Sequence, residues 1–260
     1  MTESQSNSAG LFAANGLSMW TLIRNRIESV SSIMAGATSV SDTAAALSDP
    51  HISQRSLDDM HQEAITLVLS GQCASAASIL SDAVALRHPR SHADLSWLLL
   101  WGRDGLSFDY RKAFHVAQNG TQLGCEWSKG ALAFCYLSGR GVAANEALGF
   151  DLASQSADTS YGQFCLGYAH FYGIGGAPKK SNIAMKYFVS AQDNAEALHH
   201  VGHMLENGIG VPPNKAEALS WYKAAAAQGC AAASSRVLSL LPRKVQKSAL
   251  EVYLQQLIEN

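Results

Sequence analysis

A glycine turn returns three times in this chain at an almost constant interval: Gly139-Arg140-Gly141-Val142, Gly173-Ile174-Gly175-Gly176 and Gly208-Ile209-Gly210-Val211. The first glycines are 34 and 35 residues apart. A period of that length marks stacked supersecondary units, none of which can bury its apolar face alone. The chain must therefore fold as an array in which each unit shelters its neighbour.

The residues around the turns define the unit. Eleven positions before each first glycine stands a small residue (Ser128, Gly162, Ala197), seven before it an aliphatic one (Leu132, Leu166, Val201), and six before it another small one (Ala133, Gly167, Gly202). These steps describe one face of a helix that stops at the glycine, where a residue without a β-carbon takes the left-handed backbone that ends a helix. A second apolar pattern follows, beginning at Gly149, Ala184 and Ala218 and continuing at Leu152, Tyr187 and Trp221. Each unit is thus a helical hairpin. A more divergent copy carries Leu95, Leu99 and Gly102 on its first helix and Ala113 and Val116 on its second, and residues 58 to 70 and 74 to 87 form a further pair around Gly71. Gly229 opens a last half unit that Pro242 interrupts.

Composition fits close-packed helices. The 260 residues include 21 Gly and 40 Ala but only six Pro, and small residues let helix backbones approach. Charged residues are 15% of the chain, against about 25% in ordinary soluble proteins, and the formal net charge is -2. A field this weak argues against nucleic acid or an anionic membrane as partner. No run of 18 apolar residues indicates a membrane span. Five Cys at irregular spacing, without CxxC or CxxH, point to reduced and mostly buried thiols and hence to the cytoplasm.

With these positions assembled, residues 197 to 229 closely resemble the Sel1-like repeat, a relative of the tetratricopeptide repeat; the matching run includes Ala197, Val201, Gly202, Leu205, Gly208, Gly210, Pro212, Ala218, Trp221, Tyr222 and Gly229. The copies at 125 to 160 and 161 to 194 resemble it well, the one at 91 to 124 less so. The resemblance implies an all-α, right-handed α-solenoid of about five hairpins that works as a non-catalytic adaptor or scaffold, binding a protein or peptide on its concave surface without a cofactor. A cysteine-rich secreted branch of the family is associated with β-lactam binding. The irregular cysteine positions here disfavour that alternative, and a structural subunit of a larger assembly is the other reading.

In such solenoids the first helices line the concave surface. The resemblance therefore implies a groove lined by Trp127, Phe134, Tyr161, Phe164, Tyr168, Phe171, Glu196, His199, His203 and Glu206, running from aromatic to polar and acidic. His199 and His203 are four apart, as in helical zinc sites, but lack the intervening Glu and an evident third ligand, so no metal is expected. The glycine turns follow helices rather than strands, which favours capping over phosphate binding. No nucleophile elbow or paired acid motif appears, and Asp104 and Asp109 read as capping or solvent-exposed residues.

The division expected is a partly disordered extension over 1–56 with an amphipathic helix at 17–34, a solenoid over 57–235 and a capping helix over 236–260. Leu17, Trp20, Ile23, Ile27, Val30 and Met34 carry the first pattern; Val245, Leu250, Tyr253, Leu254 and Leu257 carry the last. The leading helix reads either as a lid on the domain or as a partner-binding or targeting segment.

Overall fold

The computed structural model describes residues 50–241, with side chains from Ser56 onward. The patterns at 17–34 and beyond Pro242 lie outside the described residues. Among the described residues eleven α-helices follow one another: α1 (Pro50–Leu69), α2 (Cys73–Ala85), α3 (Pro89–Trp101), α4 (Tyr110–Gln122), α5 (Glu126–Ser138), α6 (Glu146–Gln155), α7 (Ser160–Tyr172), α8 (Ser181–Ser190), α9 (Ala195–Asn207), α10 (Lys215–Ala227) and α11 (Ala231–Leu240). They pair as five hairpins with α11 opening a sixth unit. No strand occurs among the described residues, only an isolated bridge between Arg103 and Leu106. The fold is an all-α repeat solenoid. The first helix among the described residues runs Pro50–Leu69, starting eight residues earlier than the apolar spacing suggested.

Local chemistry sets the helix ends. Gly139, Gly173 and Gly208 cap α5, α7 and α9 with φ of 70°, 75° and 67°, a backbone that costs other residues free energy. At the starts, side chains of Asp109, Asn145, Thr159, Asn194 and Asn214 accept from backbone N–H groups two or three residues on. These groups have no partner within the helix, so each cap is worth about 1 kcal/mol.

Packing between the paired helices explains the small residues. A β-carbon on Gly202 would lie 2.8 Å from the Tyr222 ring, and one on Gly167 would lie 2.7 Å from the Phe188 ring. Both rings are fully buried. The second helix thus lays an aromatic face directly on the first helix's backbone, which burial stabilises by roughly 1.5–3 kcal/mol per ring.

Between units the core is continuous from Ala64 to Ala233. Its centre is α3, buried at every position from Ser91 to Leu100, as a helix enclosed on all sides must be. The Trp97 ring stacks on Tyr161 of α7 at 4.1 Å, reaching past α5. Gly130 of α5 permits this approach, since a β-carbon there would lie 2.8 Å from Tyr161. The first helices therefore draw together on their inner side.

Candidate functional site

At the N-terminal end of α3 the inner face is closed by a buried polar network. Asp94 accepts from the Tyr161 hydroxyl at 2.8 Å, from Arg90 Nε at 3.2 Å, and from His61 Nε2 at 2.6 Å. Burial pushes the Asp94 carboxyl up, but the His61, Arg90 and Tyr161 contacts outweigh it and hold the group below its usual value. Burial, reinforced by Asp94, drives the Tyr161 phenol well above 10. Arg90 also lies 3.5 Å over the Trp127 ring, a cation–π contact.

A second tie crosses the array. The α3–α4 loop carries Arg103, which donates to Glu196 Oε1 of α9 and to the Gln228 carbonyl, both at 2.7 Å. Cys230 donates to the other Glu196 oxygen at 3.3 Å. A cavity of about 360 Å³ lies beside this tie, bounded by Val68, Gly71, Arg103, Asp104, Gly229 and Ser234. Its guanidinium is already committed to Glu196 and Gln228.

These contacts correct the expectation of a single open groove. Phe134, Tyr161, Phe164 and Glu196 are buried. The first three belong to the core because the rings of α3, α5 and α7 pack against one another, and Glu196 is taken up by Arg103. Trp127 is half-buried under Arg90 and meets the buried Tyr161 ring edge-on at 5.2 Å. His199 packs 5.5 Å from the Tyr222 ring. Glu206 accepts from the Tyr222 hydroxyl at 2.9 Å and from Arg236. Burial raises the Glu206 carboxyl, yet the hydrogen bonds from Arg236 and Tyr222 bring it below its ordinary value.

Tyr168, Phe171 and His203 remain together at the C-terminal ends of the first helices, and they join residues that the repeat pattern did not single out. Phe108 stacks on Tyr110 at 4.9 Å; Arg140 lies 5.1 Å from Tyr110 and 4.5 Å from Trp101; Trp101 stacks on Phe134 at 5.1 Å; Phe134 meets Tyr168 at 5.4 Å. Tyr168 then contacts Tyr172 at 4.5 Å, Tyr172 contacts Phe171 at 5.0 Å, and Phe171 reaches His203 at 6.3 Å. Phe108 is 62% and Tyr172 49% exposed. The result is a connected aromatic strip across three hairpins and the start of a fourth, half open to solvent, with one guanidinium set in it. Phe108, Tyr110 and Arg140 lie in or beside turns, where helix periodicity carries no signal, although the clustering of Phe, Tyr and Trp around residues 97 to 110 was there to be noticed.

Acid–base and nucleophilic groups are otherwise occupied. Ser91 Oγ lies 2.7 Å from His88 Nδ1, and His88 Nε2 lies 3.1 Å from Asp58, but the Ser91 hydroxyl is wholly buried at the start of α3. Burial pushes the Cys135 and Cys230 thiols up to about 12 and Cys73 to about 11, leaving them protonated and poor nucleophiles. All five cysteines are unpaired. Among the described residues no cluster of three His, Cys, Asp or Glu groups could hold a metal, and no described helix is long and apolar enough to cross a membrane.

Hairpins stacked through small residues, ended by left-handed glycines and presenting a strip of rings, define a helical repeat protein of the solenoid class. The Sel1 repeat family model matches residues 89–115, 131–158, 160–191 and 195–230, and the chain belongs to the Sel1-like repeat family. A Sel1 repeat protein from Oxalobacter formigenes is similar in structure, with 18% identity and a TM-score of 0.51 over 83% of this chain and 91% of that one. A sel1 repeat protein from Klebsiella pneumoniae is 20% identical over 72% of this chain and 97% of that one, with a TM-score of 0.48. An immunity protein from Pseudomonas aeruginosa is 21% identical over 80% and 82%, with a TM-score of 0.47. Sel1 repeat proteins generally mediate protein–protein interactions on a scaffold that is typically non-catalytic.

Proposed function

We propose that this chain is a non-catalytic adaptor that captures a protein or peptide on the aromatic strip running from Phe108 to His203. The observation that carries this reading is the continuity of the strip: rings from three hairpins follow one another, with the Arg140 guanidinium bridging Tyr110 and Trp101, while Phe108 is 62% and Tyr172 49% exposed. Aromatic side chains bury much area at small entropic cost and keep polar ends, which suits them to interfaces. The exposed members pack on one ring face only, Phe108 on Tyr110 and Tyr172 on Tyr168 and Phe171, and leave the rest of their apolar surface to solvent. The reading places the partner at the C-terminal ends of the first helices rather than along their whole inner face.

The test is an affinity purification from the native host with the full chain, comparing the original sequence with Phe108→Ala/Tyr172→Ala. Both rings are exposed, so the double variant retains its melting temperature within about 2 °C. Partners whose recovery drops at least fivefold support the reading. Unchanged recovery of every partner with an intact fold would place binding elsewhere.

A further inference from the structure

Arg140 occupies the middle position of a glycine turn whose equivalents are Ile174 and Ile209. Those isoleucines pack partly buried against the core. The turn therefore asks only for an apolar side chain, and a guanidinium there needs another explanation. Its surroundings hold it in place: Trp101, Tyr110 and Phe134 lie 4.5, 5.1 and 5.2 Å from Arg140 Cζ, and one terminal nitrogen donates to the Leu100 carbonyl at 3.1 Å. That bond uses one of five N–H donors. Among the described residues no carboxylate pairs with it. Glu146, six residues on, accepts from the Gly175 N–H at 3.4 Å, and Asp109, next to Tyr110, caps α4.

The preceding turn, Gly102-Arg103-Asp104-Gly105, also has an arginine directly after its first glycine, and there the guanidinium meets a carboxylate, Glu196, at 2.7 Å. Two arginines stand at the same turn position; one finds its carboxylate within the chain, and the other sits half-buried in the middle of the aromatic strip with no carboxylate paired to it among the described residues.

We infer that Arg140 is the receptor for a carboxylate of the partner, so that the strip selects a peptide segment with a Glu or Asp flanked by apolar or aromatic residues. This rests on the strip being the binding surface. The aromatic rings fix the guanidinium plane before binding, so its fork of donors meets a planar carboxylate with little loss of entropy. The charge complements an acid, and the adjoining rings complement its apolar neighbours.

The probe is a random dodecapeptide display library selected against the full chain, followed by titration of individual synthetic peptides. The inference expects enriched peptides with an acid next to apolar residues. Replacing that acid by Gln or Asn in the peptide lowers affinity about tenfold or more, whereas in the Arg140→Gln protein the same replacement changes affinity less than twofold. The peptide substitution leaves the protein untouched and so keeps the test valid even if Arg140→Gln is destabilised; Arg140→Lys then serves as the protein variant, expected to lose part of the preference. Peptides that weaken on Tyr172→Ala but show no acid and no response to Arg140→Gln overturn the carboxylate receptor and leave the strip as the binding surface. Peptides indifferent to both substitutions, or no enrichment, overturn both.

Discussion

His200 lies against the rings of Phe164, Tyr168, Phe171 and Phe188, and its Nδ1–H donates to the Glu196 carbonyl at 2.8 Å. Burial, against the weaker pull of that carbonyl, takes its pKa from 6.5 to about 4, and burial lowers His199 in the same direction. The folded protein thus holds His200 neutral where the unfolded chain would bind a proton. Between pH 6.5 and about 4 the unfolded state carries more protons, so stability is full above 6.5 and declines as pH falls toward 4. The loss from His200 reaches about 3 kcal/mol at the bottom of that window. Urea denaturation at pH 7.0 and 4.5 should show it, and His200→Phe, which loses the carbonyl bond but cannot titrate, should flatten the pH dependence there while lowering stability at pH 7 by about 1 kcal/mol. An unaltered slope in the variant would assign the effect to other groups. The pair of histidines at 199 and 203 was conspicuous in sequence for its spacing; His200 between them matters more to stability, because only the tertiary packing brings the rings of Phe164, Tyr168, Phe171 and Phe188 against it.

At the level of the element, the small residue six places before each turn is the clearest case in which sequence pattern and physical cause coincide. Gly202→Ala brings a β-carbon to 2.8 Å from the Tyr222 ring, which must shift or the helices part. A cost of about 1–3 kcal/mol follows from overpacking, less the 0.5–1 kcal/mol that alanine gains over glycine in a helix. Chemical denaturation of the single variant measures the net; a stabilised protein would mean that Tyr222 has room to retreat. The hairpins, their turns and their capping residues were legible for this reason: each depends on residues within one or two helical turns. The copy at 91 to 124 was the faintest of the four, yet it supplies α3, the most enclosed helix. Burial on all sides removes the need for a polar face, so α3 lost the alternation that makes a repeat recognisable.

Across the whole array, contacts between residues far apart in sequence decide which inner surface stays open. The Arg103–Glu196 pair joins positions 93 residues apart, and both side chains are buried. Removing one partner strands the other: Arg103→Met or Glu196→Leu alone should cost about 3–5 kcal/mol, while the double replacement should cost much less, since two apolar side chains avoid the desolvation of both charges. A double-mutant cycle by urea denaturation reads the coupling. Additive losses would show that each side chain acts through other contacts, such as the Gln228 carbonyl or the Cys230 thiol. The family, the helical hairpins and the register of the repeat followed from the sequence by itself, because spacing and residue size encode short-range packing directly. Which of the aromatic candidates are buried and which stay open to solvent was decided only by the tertiary structure. Packing between successive units stacks Trp97 on Tyr161 and buries Phe134 and Phe164, and it links Phe108, Tyr110, Arg140 and Trp101 through Phe134 to Tyr168 and Tyr172. The repeat spacing fixes the neighbours of each residue along its own hairpin, but what meets across the array depends on many weak packing preferences summed over several units.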